Sequence, residues 1–328
     1  MRGRRQIRKE RRCNPVNSTT RYPGRLAQIW VYFGKLMRMF VYQSDWKMLP
    51  MAAVIAGIVT FAVGQNLFKT QEGTSTGCFA LVCVCIWNGF FNSIQVICRE
   101  RPIIKREHRE GLHISSYICS HLIYQMLLCA AQTVILISVC RLAGIEFPQE
   151  SLITGNFLLD LGLTLFLITY AADMMSLTVS CLVRNTTTAM TLMPFLLIFQ
   201  LIFSGGLIPL EGAASKITNL TISKWGLNSL CTLGNFNKQP MVTLWNTLFK
   251  FRGVEFEGTY PVKYIMTKIE KEGKIPEFIQ ASGQYTQKAE YLFSADNLTH
   301  FWIYLVIYAA IFAIAAIICL EFIDHDKR

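Results

Sequence analysis

The chain has 328 residues, of which 52% are apolar and only 16% charged, with a formal net charge of +11. Soluble domains usually carry about 25% charged residues, so this balance argues against an ordinary soluble protein and for a chain largely solvated by lipid. Eleven cysteines do not read as a disulfide framework. Cys83, Cys85, Cys98, Cys119, Cys129, Cys140, Cys181 and Cys319 lie in or beside apolar runs, where a thiol serves as a small hydrophobe. Cys231, in a long polar stretch, is expected to be free.

Residues 1–47 hold twelve Lys and Arg against two acids, Glu10 and Asp45. A basic flank ahead of the first apolar run marks a cytoplasmic end, and its nearest partner is anionic lipid rather than nucleic acid. The first long apolar run begins near Leu49, too late for a secretory signal. Residues 1–23 read as a basic cytoplasmic arm. Across 24–47, Leu26, Ile29, Phe33, Leu36, Met37 and Phe40 recur at helical spacing with Arg25, Lys35 and Arg38 between them. That pattern predicts an amphipathic connecting helix, on the membrane surface or packed on the protein.

Apolar runs of about 20 residues, the length that crosses a ~30 Å hydrocarbon core, predict six spans at 49–68, 77–98, 117–142, 157–183, 189–208 and 301–320. The fold class is therefore an all-α membrane protein. Residues 48–208 carry five spans and a cytoplasmic loop at 99–116; residues 209–300 form an external loop; 301–320 is the last span and 321–328 a cytoplasmic tail. The loop after the second span holds Arg99, Arg101, Lys105, Arg106 and Arg109, whereas the short loops at 69–76 and 143–156 together hold only Lys69. This asymmetry places both termini in the cytoplasm. The ten Lys and Arg between 209 and 300 weigh little, because long loops translocate regardless of charge. Residues 237–299 mix charged and aromatic side chains and predict a small external cap with short helices, such as 262–272.

No GxxxxGK[ST] or HExxH sequence is present. Gly73-Thr74-Ser75-Thr76-Gly77 matches the GxSxG pattern by letters, but it is expected in a short polar loop rather than on a strand-to-helix turn. His113 and His121 are expected to be solvated or hydrogen-bonded rather than metal ligands. Asp173 lies about ten residues before Arg184, roughly 15 Å into the bilayer. A carboxyl group there is either an ion or substrate contact, or a protonated or paired group that joins helices. Asn88, Asn92 and Gln95 form a candidate polar strip, and Asp160, near the outer end of its span, is expected to be wet. The segment from Arg99 to Gly111 reads equally as a solvated loop or as a docking helix for a cytoplasmic partner.

Four segments resemble a known family. Glu100-Arg101-Pro102-Ile103-Ile104-Lys105-Arg106-Glu107, followed by Gly111 and Ser115-Ser116-Tyr117, resembles the segment after the second span of ABC-2 type exporters, above all the G subfamily of multidrug and sterol exporters. Ile202-Phe203-Ser204-Gly205-Gly206-Leu207-Ile208-Pro209 resembles the end of that family's fifth span. Ile222-Ser223-Lys224-Trp225-Gly226-Leu227-Asn228-Ser229-Leu230 resembles its re-entrant segment, and the helix ending in Ser44-Asp45-Trp46 its connecting helix. The resemblance implies a permease that dimerises around a central path. It implies path residues at Cys85, Asn88 and Phe91 and at Leu192, Met193, Leu196 and Phe199, and an outer gate at Gly206 and Leu207. Glu100, Arg101, Lys105, Arg106 and Glu107 would couple the chain to an ATPase.

The chain departs from the multidrug members at three points. Asn88 stands where they have an aromatic clamp, with Trp87 and Phe91 nearby; Gly206-Leu207 replaces a leucine pair; and their outer cysteine cluster is missing. No catalytic residue or cofactor is expected in this chain. ATP and Mg²⁺ would be held by a partner ABC ATPase subunit, and a second permease copy and membrane lipids would complete the assembly in the plasma membrane. The alternative is an ion-coupled secondary transporter using Asp173. A membrane-embedded hydrolase or receptor-like protein is a third reading, for which no clustered His and carboxylate set is present.

Overall fold

A computed structural model describes residues 24–42, 45–206, 212–255, 258–284 and 286–322. The basic arm, Ser44, Leu207 and the last residues of the tail lie outside the described residues. The described chain is helical, without strands. Its helices are α1 (Arg25–Tyr42), α2 (Met48–Val63), α3 (Gln71–Ser93), α4 (Val96–Arg109), α5 (Ile114–Leu142), α6 (Phe157–Leu182), α7 (Thr186–Ile202), α8 (Ala213–Thr218), α9 (Ile222–Leu233), α10 (Thr243–Phe251), α11 (Pro261–Lys271), α12 (Ile275–Gln284) and α13 (Ala295–Glu321). Among the described residues, five stretches are long and apolar enough to cross a membrane: Asp45–Val63, Gln71–Arg109, α5, α6 and α13. α7 is apolar but has 17 residues.

α6 is the central element. Its two most extensive partners are α3 and α13, and α5 and α9 also pack on it. Lipid offers helices no hydrophobic reason to associate, so close contact between small residues and interhelical hydrogen bonds must hold them. Both are present. A Cβ at Gly89 of α3 would lie 2.5 Å from the Thr169 carbonyl oxygen and 2.8 Å from the Asp173 nitrogen, so only glycine permits this approach. Ser176 Oγ donates to the Phe90 carbonyl (2.9 Å), Thr178 Oγ1 to the Phe312 carbonyl (2.7 Å), and Trp302 Nε1 to Thr164 Oγ1 (2.9 Å). By contrast, α2 and α13 leave Val54, Ile58 and Phe61, and Ile307, Ile311 and Ile314, exposed, as helices facing lipid do.

Several expectations shift. α3 begins at Gln71, six residues before the predicted span, with Thr70 Oγ1 accepting from Gly73 N (3.1 Å) as its N-cap. The Gly73–Gly77 pattern therefore lies in the first turns of a helix and not in a loop. α13 likewise begins at Ala295, six residues before the predicted 301. Asp160, expected in water, is fully buried. It accepts from Ser151 Oγ (2.6 Å) and from the backbone of Leu152, Ile153 and Thr154 (3.1–3.2 Å), and so folds the loop over the start of α6. Cys231 is not in a polar loop but buried on α9, as a free thiol.

The segment between α9 and α13 sits on the start of α3. Gln71 N donates to the Pro240 carbonyl (3.1 Å) and Gln71 Nε2 to the Gly283 carbonyl (2.9 Å). Glu72 Oε1 accepts from Val242 N (3.1 Å) and Thr243 N (2.7 Å), and Thr74 bonds Gln239.

Gly89→Val is expected to force α3 from α6 and destabilise the fold by about 1–3 kcal/mol, the usual range for overpacking, read as a lower melting temperature of the purified protein in detergent. Gly57→Val on α2, where an added Cβ meets nothing within 4 Å, should change it far less.

Candidate functional site

At one end of the bundle, α4 runs on from α3 after a short break and has two unlike sides. Its first N–H groups lack partners within the helix. Ser180 Oγ of α6 accepts from Ile97 N (3.1 Å) and Cys98 N (3.2 Å). In return, Arg101 Nη1 donates to the last carbonyls of α6, at Cys181 (2.8 Å) and Val183 (3.0 Å), the cation-at-C-terminus arrangement that a helix dipole favours. Each helix thus caps the other. Glu100 is buried, accepts from Tyr117 Oη of α5 (3.0 Å), and has Lys35 Nζ of α1 at 3.6 Å. Glu107 accepts from Tyr32 Oη of α1 (3.0 Å), and burial together with this carboxylate raises the Tyr32 pKa above its ordinary value. Gln28 closes the turn after α4: its Nε2 donates to the Gly111 carbonyl (3.2 Å) and its Oε1 accepts from His113 N (3.0 Å).

The other side of α4 carries Arg99, Pro102, Ile103, Arg106 and Arg109, all exposed. Their three- and four-residue spacing makes one stripe, and it includes an isoleucine that is 45% exposed. α1 shows a related division. Gln28 and Leu36 are buried, and the Tyr32 ring packs edge-on to Tyr117 at 5.5 Å. Leu26, Trp30, Met37 and Val41 stay exposed. The predicted apolar face is thus divided between protein and surroundings, because periodicity marks which side chains leave water but not whether lipid or protein receives them.

Deeper in the bundle, α9 is buried along almost its whole length although it holds Ser223, Asn228, Ser229 and Thr232. Ser223 N donates to Gln200 Oε1 of α7 (3.2 Å), and its hydroxyl bonds the Gln200 carbonyl. A side chain at Gly226 would collide with Ile168 of α6 at 2.9 Å.

A family model described as ABC-2 type transporter matches residues 28–232, more than half of the chain and from α1 to α9. The chain belongs to the ABC-2 type transporter family. It is also 26% identical over 144 residues to an ABC transporter ATP-binding/permease protein of Mycobacterium tuberculosis, which covers 43% of this chain. The chain spans about a sixth (16%) of that relative's length. An ABC-2 membrane domain is a component of a transporter and is not itself catalytic.

Within this ABC-2 membrane domain, the residues singled out from the sequence fall into two groups. On α3, Cys85 and Asn88 are buried and Phe91 is half-buried. The open stripe of α3 runs through Cys83, Trp87 and Phe91, with the Trp87 and Phe91 rings 5.5 Å apart. On α7, Leu192 is exposed, Leu196 and Phe199 are half-buried, and Met193 is buried. Gly206 packs against Leu227 and Phe79, while Leu207 lies outside the described residues. Of the coupling residues, Glu100, Arg101 and Glu107 hold α4 to the bundle; Arg106 faces outward and Lys105 is half-buried. Sequence reasoning passed over Ile103, and its signal was available: an isoleucine three residues before Arg106 on a helix dense in charge.

Arg101→Ala should leave the end of α6 and the start of α4 poorly held, at a cost of roughly 1.5–3 kcal/mol for a lost charge-assisted bond. Hydrogen exchange across α4 is expected to speed up by at least tenfold, while exchange in α13 stays unchanged.

Proposed function

We propose that this chain is the permease of an ATP-driven exporter, that it forms a path with a second permease copy, and that an ABC ATPase docks on α4. The observation that carries the proposal is the two-sided α4, held to three other helices by its inner residues while its outer stripe is open. A helix fixed in this way passes a push on its outer face to α1, α5 and α6, and through the chain to α3, as one unit. Family membership supports the reading, as does the relative's printed name, which joins ATP binding and permease. Energy would enter as a binding-driven shift between inward- and outward-open populations, and bond chemistry would stay on the ATPase with its ATP and Mg²⁺.

In this reading α2, α3, α5, α6, α7 and α13 are the six spans, with α7 reaching roughly 26 Å at 1.5 Å per residue. Both termini and α4 are cytoplasmic, and the α10–α12 segment is an external cap. The path lies along α3 and α7. Its lining centres on Trp87 and Phe91 and on Leu192, Leu196 and Phe199, with Cys85, Asn88 and Met193 behind them and Gly206–Leu207 near the exit. The cargo is then apolar or aromatic. α1 lies at the membrane surface with Leu26, Trp30 and Val41 toward lipid.

Ile103→Asp with Arg106→Glu should abolish co-purification of the ATPase and reduce ATP-dependent transport in vesicles by at least tenfold, with melting temperature unchanged because both side chains point away from the bundle. Transport that persists without any ATPase and is lost in Asp173→Asn would instead establish the ion-coupled reading.

A further inference from the structure

The polar groups between α3, α5 and α6 form a hydrogen-bonded chain whose donors and acceptors do not balance. Asp173 is fully buried in α6. Its Oδ1 is bonded to Ser93 Oγ of α3, and its Oδ2 receives the Cys129 thiol of α5 at 3.4 Å. Gln125 Nε2 of α5 lies 2.8 Å from the same Ser93 oxygen. Next to this chain, Asn92 and Gln132 exchange two amide hydrogen bonds of 2.9 Å. Two side chains remain without partners although they are fully buried: Gln125 Oε1, and His121 at both ring nitrogens. They are one turn apart on α5 and share its inner face.

The titratable groups facing Asp173 are Cys129 and Tyr124 from α5 and Tyr170 from α6. α3 contributes Ser93 and Asn92, neither of which titrates in this range. Among the described residues no lysine or arginine pairs with Asp173. A carboxylate here would be an unpaired charge inside a membrane-spanning bundle, held only by neutral donors: the Ser93 hydroxyl, the Cys129 thiol and the Asn92 amide. It would also oblige Ser93 to spend its only hydrogen on Asp173. Ser93 must then accept from Gln125, and the orphaned Gln125 oxygen follows directly.

One added proton removes the buried charge and frees the Ser93 hydrogen. As a carboxylic acid, Asp173 donates to the Ser93 oxygen, and the Ser93 hydroxyl is released to donate onward. The two ends of a glutamine amide have the same shape. Turned over, Gln125 accepts from Ser93 through Oε1 and presents its N–H groups where the orphaned oxygen lay, on the face that carries the unpartnered His121. The buried charge is gone, and each contact from Cys129 through Asp173 and Ser93 to Gln125 Oε1 pairs one donor with one acceptor.

We infer that Asp173, Ser93 and Gln125 form a proton-binding site within the membrane domain, with the proton resident on Asp173 and the Gln125 amide turned to accept from Ser93. The O–H bond on Asp173 forms with a proton taken from water, and no electron transfer is involved. The inference rests on helix packing alone and does not depend on the transport reading. The neutral acid ties α3 to α6 beside the Gly89 contact without a counter-ion.

The test is infrared spectroscopy of the protein in lipid nanodiscs at neutral pH. The wild type should show the C=O stretching band of a protonated carboxyl group, shifted down in heavy water and absent in Asp173→Asn. Ser93→Ala should keep the band but move it to higher frequency, because the acid loses its acceptor. Wild-type and Asp173→Asn spectra that superimpose in this region would overturn the site. Should Asp173→Asn fail to fold, the Ser93→Ala comparison decides alone: a shifted band supports the site and an unmoved or absent band overturns it.

Discussion

Reciprocal capping between α4 and α6 sets the geometry on which the rest depends. Ser180 satisfies the open N–H groups at the start of α4, and Arg101 satisfies the open carbonyls at the end of α6. Helix ends inside a bundle cannot be left without partners, since water is not there to replace them. Two such ends placed against each other solve the problem together. They also hold α4 at the end of the bundle, with its outer stripe exposed. The contact continues along the α3–α6 seam, where Gly89 allows the backbones to touch and Ser176 bonds back to α3.

The same economy of polar groups recurs through the structure. Asp160 gathers four donors to fold the loop that precedes α6, Gln71 and Glu72 fasten the segment before α13 to the start of α3, and Gln200 holds Ser223 of the buried α9. None of these side chains takes part in bond chemistry. In a chain that spans a membrane they perform the structural work that burial of apolar area performs in a soluble domain. Helices in lipid gain little from hiding leucine from leucine-like surroundings. Polar residues buried in such a chain are therefore explained first by the partner they hold.

The positions of the spans were legible because hydropathy is a local quantity. Each predicted apolar run contains or overlaps an observed helix, and α5 and α6 agree to within a few residues. The ends were less legible. α3 and α13 each begin six residues early because their first turns are polar: that of α3 is held by the segment from Gln239 to Thr243 and by Gly283, far away in sequence, and that of α13 by Asn297, which bonds Thr232 and the Glu290 and Leu292 carbonyls. Amphipathicity was visible in α1, yet the division of its apolar side between α5 and the surroundings was not. In α4, composition marked a dense charged segment but left open whether it is a solvated loop or a helix. It did not separate Glu100, Arg101 and Glu107, which bind inward, from Arg99 and Arg106, which face out, because all are charged.

By itself the sequence determined the helical membrane class, the approximate spans and the family, since length, hydropathy and short ordered motifs carry that information locally. Tertiary structure alone decided which polar residue meets which. Asp160 became a buried anchor instead of a wet carboxylate, Cys231 became a core thiol, Cys85 and Asn88 turned inward while Trp87 stayed open, and Asp173 acquired Ser93 and Cys129. The physical reason is that a hydrogen bond or a close helix contact joins residues separated by tens of positions. Its free energy depends on a partner and on exclusion of water that no local pattern encodes.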